Sequence, residues 1–181
     1  DTTDDHAILS NAESLYQGYG LRRVYYSAFS PIPDSPASVP LAAPPLLREH
    51  RLYQADFLMR GYGYKAGELL SETRNLDLDI DPKLAWALAN REVFPLDVNR
   101  AEPALLARIP GIGLRSVQRL VALRRERRVR YDDLVQLRCV LEKARPFIVT
   151  SDYRPADAQV RSGLLRERLR DPQRPVQMGV W

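Results

Sequence analysis

The residues with the most distinctive chemical use lie in one run, Leu106-Ala107-Arg108-Ile109-Pro110-Gly111-Ile112-Gly113-Leu114-Arg115-Ser116-Val117. An apolar residue, a Pro-Gly turn, a second glycine two positions on and then helix-forming sequence predict two short helices joined by a tight hairpin. Gly111 can take the positive φ of a sharp reversal, and Gly113 lets the backbone at the start of the second helix approach another group closely. Helix-start amides lack internal acceptors and sit at the positive end of the helix dipole, so the group they suit is an anion, and a DNA phosphate fits. The same Pro-Gly would also serve as a plain turn between packed helices. Charge separates the two readings: from Arg108 to Arg145 there are ten arginines and one lysine against Glu126, Asp132, Asp133 and Glu142, a net +7, while the whole chain carries +4. The rest of the chain is therefore net acidic and the positive field is centred on the hairpin, which favours nucleic-acid binding.

The run resembles the helix-hairpin-helix motif of DNA-repair and competence-type DNA-binding proteins. The resemblance implies that backbone amides of Gly111, Gly113, Arg115 and Ser116 bind phosphate without reading bases. The candidate DNA-binding set is Pro110, Gly111, Ile112, Gly113, Arg115, Ser116 and Arg119. It also implies a possible monovalent-cation site on the carbonyls of Ala107, Ile109 and Ile112, although no side-chain pattern calls for a metal.

Other chemistry is sparse. His6 and His50 have no spaced His, Cys or carboxylate partner that would signal a metal site or a catalytic pair. Asp77, Asp79 and Asp81 alternate with Leu78 and Ile80, which reads as a solvated extended face. The single cysteine, Cys139, excludes an internal disulfide and a cysteine-only cluster, fits a reducing cytoplasm, and reads as a small buried residue. No apolar run reaches the ~18 residues of a membrane span and no signal peptide opens the chain, so a cytoplasmic protein is expected. At 181 residues there is room for one domain or two small ones. The chain opens at Asp1 without an initiator Met, which leaves two readings open, a complete chain or a piece of something longer.

These residues need elements to hold them. Thr2-Thr3-Asp4-Asp5 with Ile8, Leu9, Ala12, Leu15, Tyr16 and Tyr19 predicts a capped amphipathic helix ended by Gly18 and Gly20. Arg22 to Ser30 has strand composition, and Pro31 to Pro45 carries six prolines, an irregular loop. A helix resumes at Leu46, with apolar residues spread around its axis, and Tyr62 and Tyr64 among Gly61, Gly63 and Gly67 read as core plugs at its end rather than base-stacking residues. Asp81-Pro82 opens another helix. Pro103 starts the first hairpin helix, with Glu102 a weak cap. In the second, Val117, Leu120 and Val121 form the buried stripe while Arg115, Gln118, Arg119 and Arg125 lie elsewhere. Asp132-Asp133-Leu134 begins a second hairpin in which Cys139 and Leu141 take the glycine positions. A helix is expected from Asp157 to Arg170, and Gln177, Met178, Val180 and Trp181 in the tail resemble a degenerate sliding-clamp-binding peptide; those residues could equally fold back onto the core.

Taken together, Arg22 to Ile32, Tyr53 to Leu58, Asp81 to Trp86, Asp97 to Ala101 and Arg145 to Ile148 resemble the carboxy-terminal part of a bacterial family of radical S-adenosylmethionine proteins assigned to DNA modification or repair. The resemblance implies a mainly α chain: a tandem helix-hairpin-helix domain, its second copy degenerate, following a short α/β remnant of a partial radical S-adenosylmethionine barrel. The expected divisions are residues 1–45 (end of the barrel and Pro-rich loop), 46–96 (helical connector), 97–150 (DNA-binding domain) and 151–181 (C-terminal helix and tail). An iron-sulfur cluster and S-adenosylmethionine are expected in the intact family protein and not in this chain, which lacks the three-cysteine motif. The expected function is sequence-nonspecific DNA binding within such an enzyme; the alternative is a stand-alone helix-hairpin-helix protein with no catalysis. DNA and, through the tail, a sliding clamp are the expected partners, and no membrane.

Overall fold

The computed structural model describes residues 3–28, 30–31, 43–70, 74–156 and 163–170, and these are mainly helical. Helix α1 (Asp5–Tyr19) starts where the Asp4 carboxylate accepts from the Ala7 amide at 2.8 Å and stops at Gly20, whose left-handed φ of 64° favours glycine. Helix α2 (Leu46–Tyr62) ends in the same way at Gly63, φ 73°. After the single turn α3 (Ala66–Leu69), α4 (Pro82–Ala89) opens as its sequence dictates: Pro82 takes the first helical position and the Asp81 carboxylate accepts from the Leu84 amide at 2.9 Å.

The rest is built of short pieces: β1 (Leu96–Asp97), α5 (Pro103–Leu106), α6 (Leu114–Glu126), α7 (Tyr131–Gln136), α8 (Leu141–Ala144), β2 (Ile148–Val149) and α9 (Leu165–Arg168). β1 and β2 pair in parallel, Leu96 opposite Ile148 and Asp97 opposite Val149. This pairing was not expected from sequence. It joins the chain entering the two hairpins to the chain leaving them, so the 97–150 stretch is closed by main-chain hydrogen bonds. A line of edge-to-face aromatics, Tyr64, Trp86, Phe94 and Phe147, with centroids 5.5, 6.2 and 5.0 Å apart, runs from the α2–α4 layer into the hairpin unit. Around it Leu106, Ile109, Ile112, Leu120, Leu134 and Ile148 are buried.

Three sequence expectations are corrected. The strand expected over Arg22–Ser30 does not form among its described residues. Its amides are satisfied by side chains instead of a ladder: Val24 donates to the Tyr16 hydroxyl at 3.1 Å, Tyr26 to the Tyr53 hydroxyl at 3.0 Å and Ala28 to the Glu49 carboxylate at 3.0 Å. Asp77 and Asp79 are not a solvated face, because Arg166 reaches Asp77 at 2.5 Å and Arg170 reaches Asp79 at 2.7 Å, pinning α9 against the connector. Over the described part of 157–170, helix spans only Leu165–Arg168.

Asp56 ties the first two helices together. It is fully buried, accepts from the Tyr16 and Tyr26 hydroxyls, and takes the Arg60 guanidinium at 2.8 Å. Burial first and the Asp56 charge second push the Tyr26 phenol well above its usual value, so it stays a donor at any ordinary pH. Asp56→Ala removes an acceptor shared by three groups, and chemical denaturation should show a loss of about 2–3 kcal/mol.

Candidate nucleic-acid interface

The first hairpin is fixed from inside. Gly111 has φ 79°, its carbonyl accepts from the Val140 amide at 2.8 Å, and a Cβ built on it would lie 2.4 Å from the Val140 carbonyl oxygen. Glycine is thus required twice, by conformation and by the second hairpin pressed against it. Gly113 differs. It precedes α6 with φ −89° and ψ 164°, an extended conformation open to any residue, and a Cβ there would meet nothing nearer than the Tyr62 hydroxyl at 3.8 Å. Nothing internal requires a glycine at 113, and the residue is half-buried.

The second hairpin repeats the first with a one-residue correction to the register expected from sequence. Arg138 takes the left-handed position with φ 58°, matching Gly111, and Val140 precedes α8 as Gly113 precedes α6. Cys139 matches the buried Ile112, and Leu141 matches Leu114. Cys139 and Leu141 therefore do not occupy the glycine positions. Cys139 is buried, and burial pushes its thiol above the usual range, so it is a packing residue rather than a nucleophile.

The start of α6 is uncapped. Gly113 offers no side chain, and among the described residues no acceptor lies within hydrogen-bond reach of the amides of Gly113, Leu114, Arg115 and Ser116, while the next one, Val117, bonds the Gly113 carbonyl at 2.9 Å. Ser116 is buried and its hydroxyl donates to the Leu137 carbonyl at 2.8 Å, so its side chain is committed to the fold. Pro110 and Ile112 are buried and serve the turn. Arg115 and Arg119 are exposed and, like Arg125, have no carboxylate partner among the described residues; with Gln118 they lie along one face of α6, as its helical spacing dictates.

Not all the basic residues share this face. Arg108 turns inward, stacked 4.3 Å from the Tyr64 ring centre and 4.6 Å from that of Trp86, and bonds Glu68 at 3.0 Å. Arg124 donates to the carbonyls of Ala101 at 2.6 Å and Val98 at 3.3 Å. Arg127 forms a bidentate pair with Asp133, which also accepts from the Arg130 amide, and the Arg127 guanidinium holds the Asp133 carboxyl below its usual range.

Of the carbonyls considered for a monovalent cation, two already have donors: Ile109 accepts from the Ile112 amide at 3.2 Å, and Ile112 accepts from the Lys83 ammonium at 2.6 Å. Lys83 is the residue sequence reasoning missed. It lies 29 positions from its partner, on another helix, and no local pattern announces it. Gln177, Met178, Val180 and Trp181 lie outside the described residues.

Comparison of the chain with protein-family models, curated proteins and solved structures finds no match.

The two glycines should behave differently. Gly111→Ala is expected to cost about 3 kcal/mol in denaturant unfolding, because it meets both a left-handed φ and a backbone oxygen. Gly113→Ala should change stability by no more than about 1 kcal/mol.

Proposed function

We propose that this region binds the sugar-phosphate backbone of DNA without reading base sequence, and that it is the DNA-binding part of a radical S-adenosylmethionine enzyme of DNA modification or repair. The observation that carries the binding reading is the uncapped start of α6: four backbone amides without acceptors, at the positive end of a 13-residue helix, beside a glycine with no internal reason to be one. A phosphate oxygen supplies the missing acceptors. Gly113 admits it to the main chain, and Arg115 and Arg119 stand on the same exposed face of α6 to neutralise flanking phosphates. Base edges are not addressed, since the contacts proposed are amides and guanidinium groups on the outside of a strand. The first hairpin makes the contact and the second supports it.

The enzymatic half of the proposal comes from the resemblance alone and assigns chemistry to another part of the polypeptide. The residues here do not fit an iron-sulfur cluster: Cys139 is the single cysteine and is buried, and among the described residues no group of three His, Cys, Asp or Glu could hold a metal ion. No reaction step is therefore routed through this region. Among the described residues no helix is long and apolar enough to cross a membrane.

Binding is tested by fluorescence anisotropy with labelled duplexes of unrelated sequence over a salt series. If Arg115, Arg119 and Arg125 each neutralise one phosphate, log affinity should fall with log salt at a slope of about −3, and Arg119→Ala should make the slope shallower by about 1. Gly113→Val should weaken binding to every duplex alike, by about tenfold, with the melting temperature essentially unchanged. Salt-independent association, or a Gly113→Val protein that binds as well as the wild type, would overturn the reading.

A further inference from the structure

Lys83 occupies an unusual place. It stands in the first turn of α4, half-buried, with its ammonium 2.6 Å from the Ile112 carbonyl oxygen and 4.7 Å from the centre of the Tyr62 ring. A cation turned inward onto a neutral carbonyl loses hydration that the carbonyl only partly replaces. The cost is tolerated at a particular peptide group, the one joining Ile112 to Gly113, which is not among the cis bonds of the chain. In a trans peptide the carbonyl and the following N–H lie in one plane and point in opposite directions. The bond that draws the Ile112 carbonyl towards Lys83 therefore turns the Gly113 N–H to the side facing away from Lys83. That N–H is the first of the four amides without acceptors.

We propose that Lys83 is a positioning residue for phosphate binding, its ammonium holding the Ile112–Gly113 peptide plane so that the Gly113 amide is aimed at the incoming oxyanion. The inference rests on the backbone-binding reading above and deepens it. Lys83 does two things that a neutral side chain of equal length does not. Its charge polarises the peptide group and strengthens the Gly113 N–H as a donor, and it fixes that group before the ligand arrives. The Tyr62 ring supplies a second contact to the ammonium from α2, on the side of the hairpin where the hydroxyl of the same residue approaches Gly113.

The arrangement has a proton-linked consequence. Burial lowers the Lys83 pKa to about 8, against the opposing pull of Asp81 from the α4 cap and Cys139 from the second hairpin. Lys143 of α8 faces the same group indirectly, through its 2.7 Å bond to Asp81. Raising the pH through about 8 removes the charge of the ammonium and leaves a neutral amine, a weaker donor to the Ile112 carbonyl, so DNA affinity should fall. Stability moves the other way. Because the folded pKa lies below the free-lysine value of 10.5, the unfolded chain keeps the proton over that window and the Lys83 contribution to stability rises between about 8 and 10.5. Loss of binding by this route is therefore not unfolding.

The experiment is duplex-DNA anisotropy on the full chain at constant ionic strength from pH 6.5 to 9, for the wild type, Lys83→Arg, Lys83→Met and Cys139→Ala. The wild type should lose affinity by about tenfold with a midpoint near pH 8, and Cys139→Ala should keep that step. Lys83→Arg should bind with no step, since its charge persists. Lys83→Met should be weaker than the wild type at pH 7 by about tenfold and equally flat. A wild-type profile without a step, or a Lys83→Met protein that binds like the wild type while Gly113→Val is impaired, overturns the inference and leaves the binding reading standing. If the wild type shows no salt-dependent binding at all, the reading fails and the inference falls with it. Should Lys83→Met fail to fold, comparing the wild-type profile with that of Lys83→Arg decides the matter.

Discussion

The hairpin unit depends on one contact, the meeting of Gly111 with Val140. The Gly111 carbonyl accepts from the Val140 amide at 2.8 Å, and the Val140 carbonyl oxygen stands where a Gly111 side chain would begin. This back-to-back contact lets two short hairpins, each too small to bury its own apolar face, share a core of Leu106, Ile109, Ile112, Leu120 and Leu134. It also divides labour between the two glycines. One is consumed by the packing of the turn, which leaves the other, Gly113, uncommitted at the outer end of α6. The two-residue parallel pairing of β1 with β2 closes the same unit from its other end.

Charge follows a similar division. A net +7 over Arg108–Arg145 suggests a uniformly sticky surface, yet several of these residues are spent on the fold. Arg108 lies between two aromatic rings and a carboxylate, Arg124 ties the end of α6 to the carbonyls of Val98 and Ala101, and Arg127 pairs with Asp133 in the first turn of α7. Helix geometry explains the sorting on α6. Arg124 falls on the same side as Leu120 and Val117 and is drawn inward, whereas Arg115, Arg119 and Arg125 fall opposite. The surface left for a ligand is a stripe beside the uncapped helix start. On the proposed reading, the field of the free guanidinium groups and the partial charge of the amides would act there on the same anion.

Much of this could be read from local chemistry. The hairpin, the helix start at Asp81-Pro82, the exposed face of α6 and the burial of Cys139 all follow from turn residues, caps and helical spacing, which act over a few positions. The misreadings share a cause. Arg22–Ser30 has the composition of a strand, but its amides find the hydroxyls of Tyr16 and Tyr53 and the Glu49 carboxylate, partners that composition does not reveal. In the second hairpin glycine does not mark the left-handed position, because Arg138 adopts that conformation at φ 58° with a side chain, one residue before the position that glycine spacing implies. Lys83 and the β1–β2 pairing were invisible because each joins residues far apart in sequence.

The most direct measurement of the central claim is an amide-resolved NMR titration of the isotope-labelled chain with a short duplex at low salt. Backbone phosphate binding at the start of α6 predicts that the Gly113, Leu114, Arg115 and Ser116 amides shift first and furthest, downfield as they gain a charged acceptor, with the Val140 side of the unit little affected. Shifts centred elsewhere, with those four amides unchanged at saturation, would contradict the account.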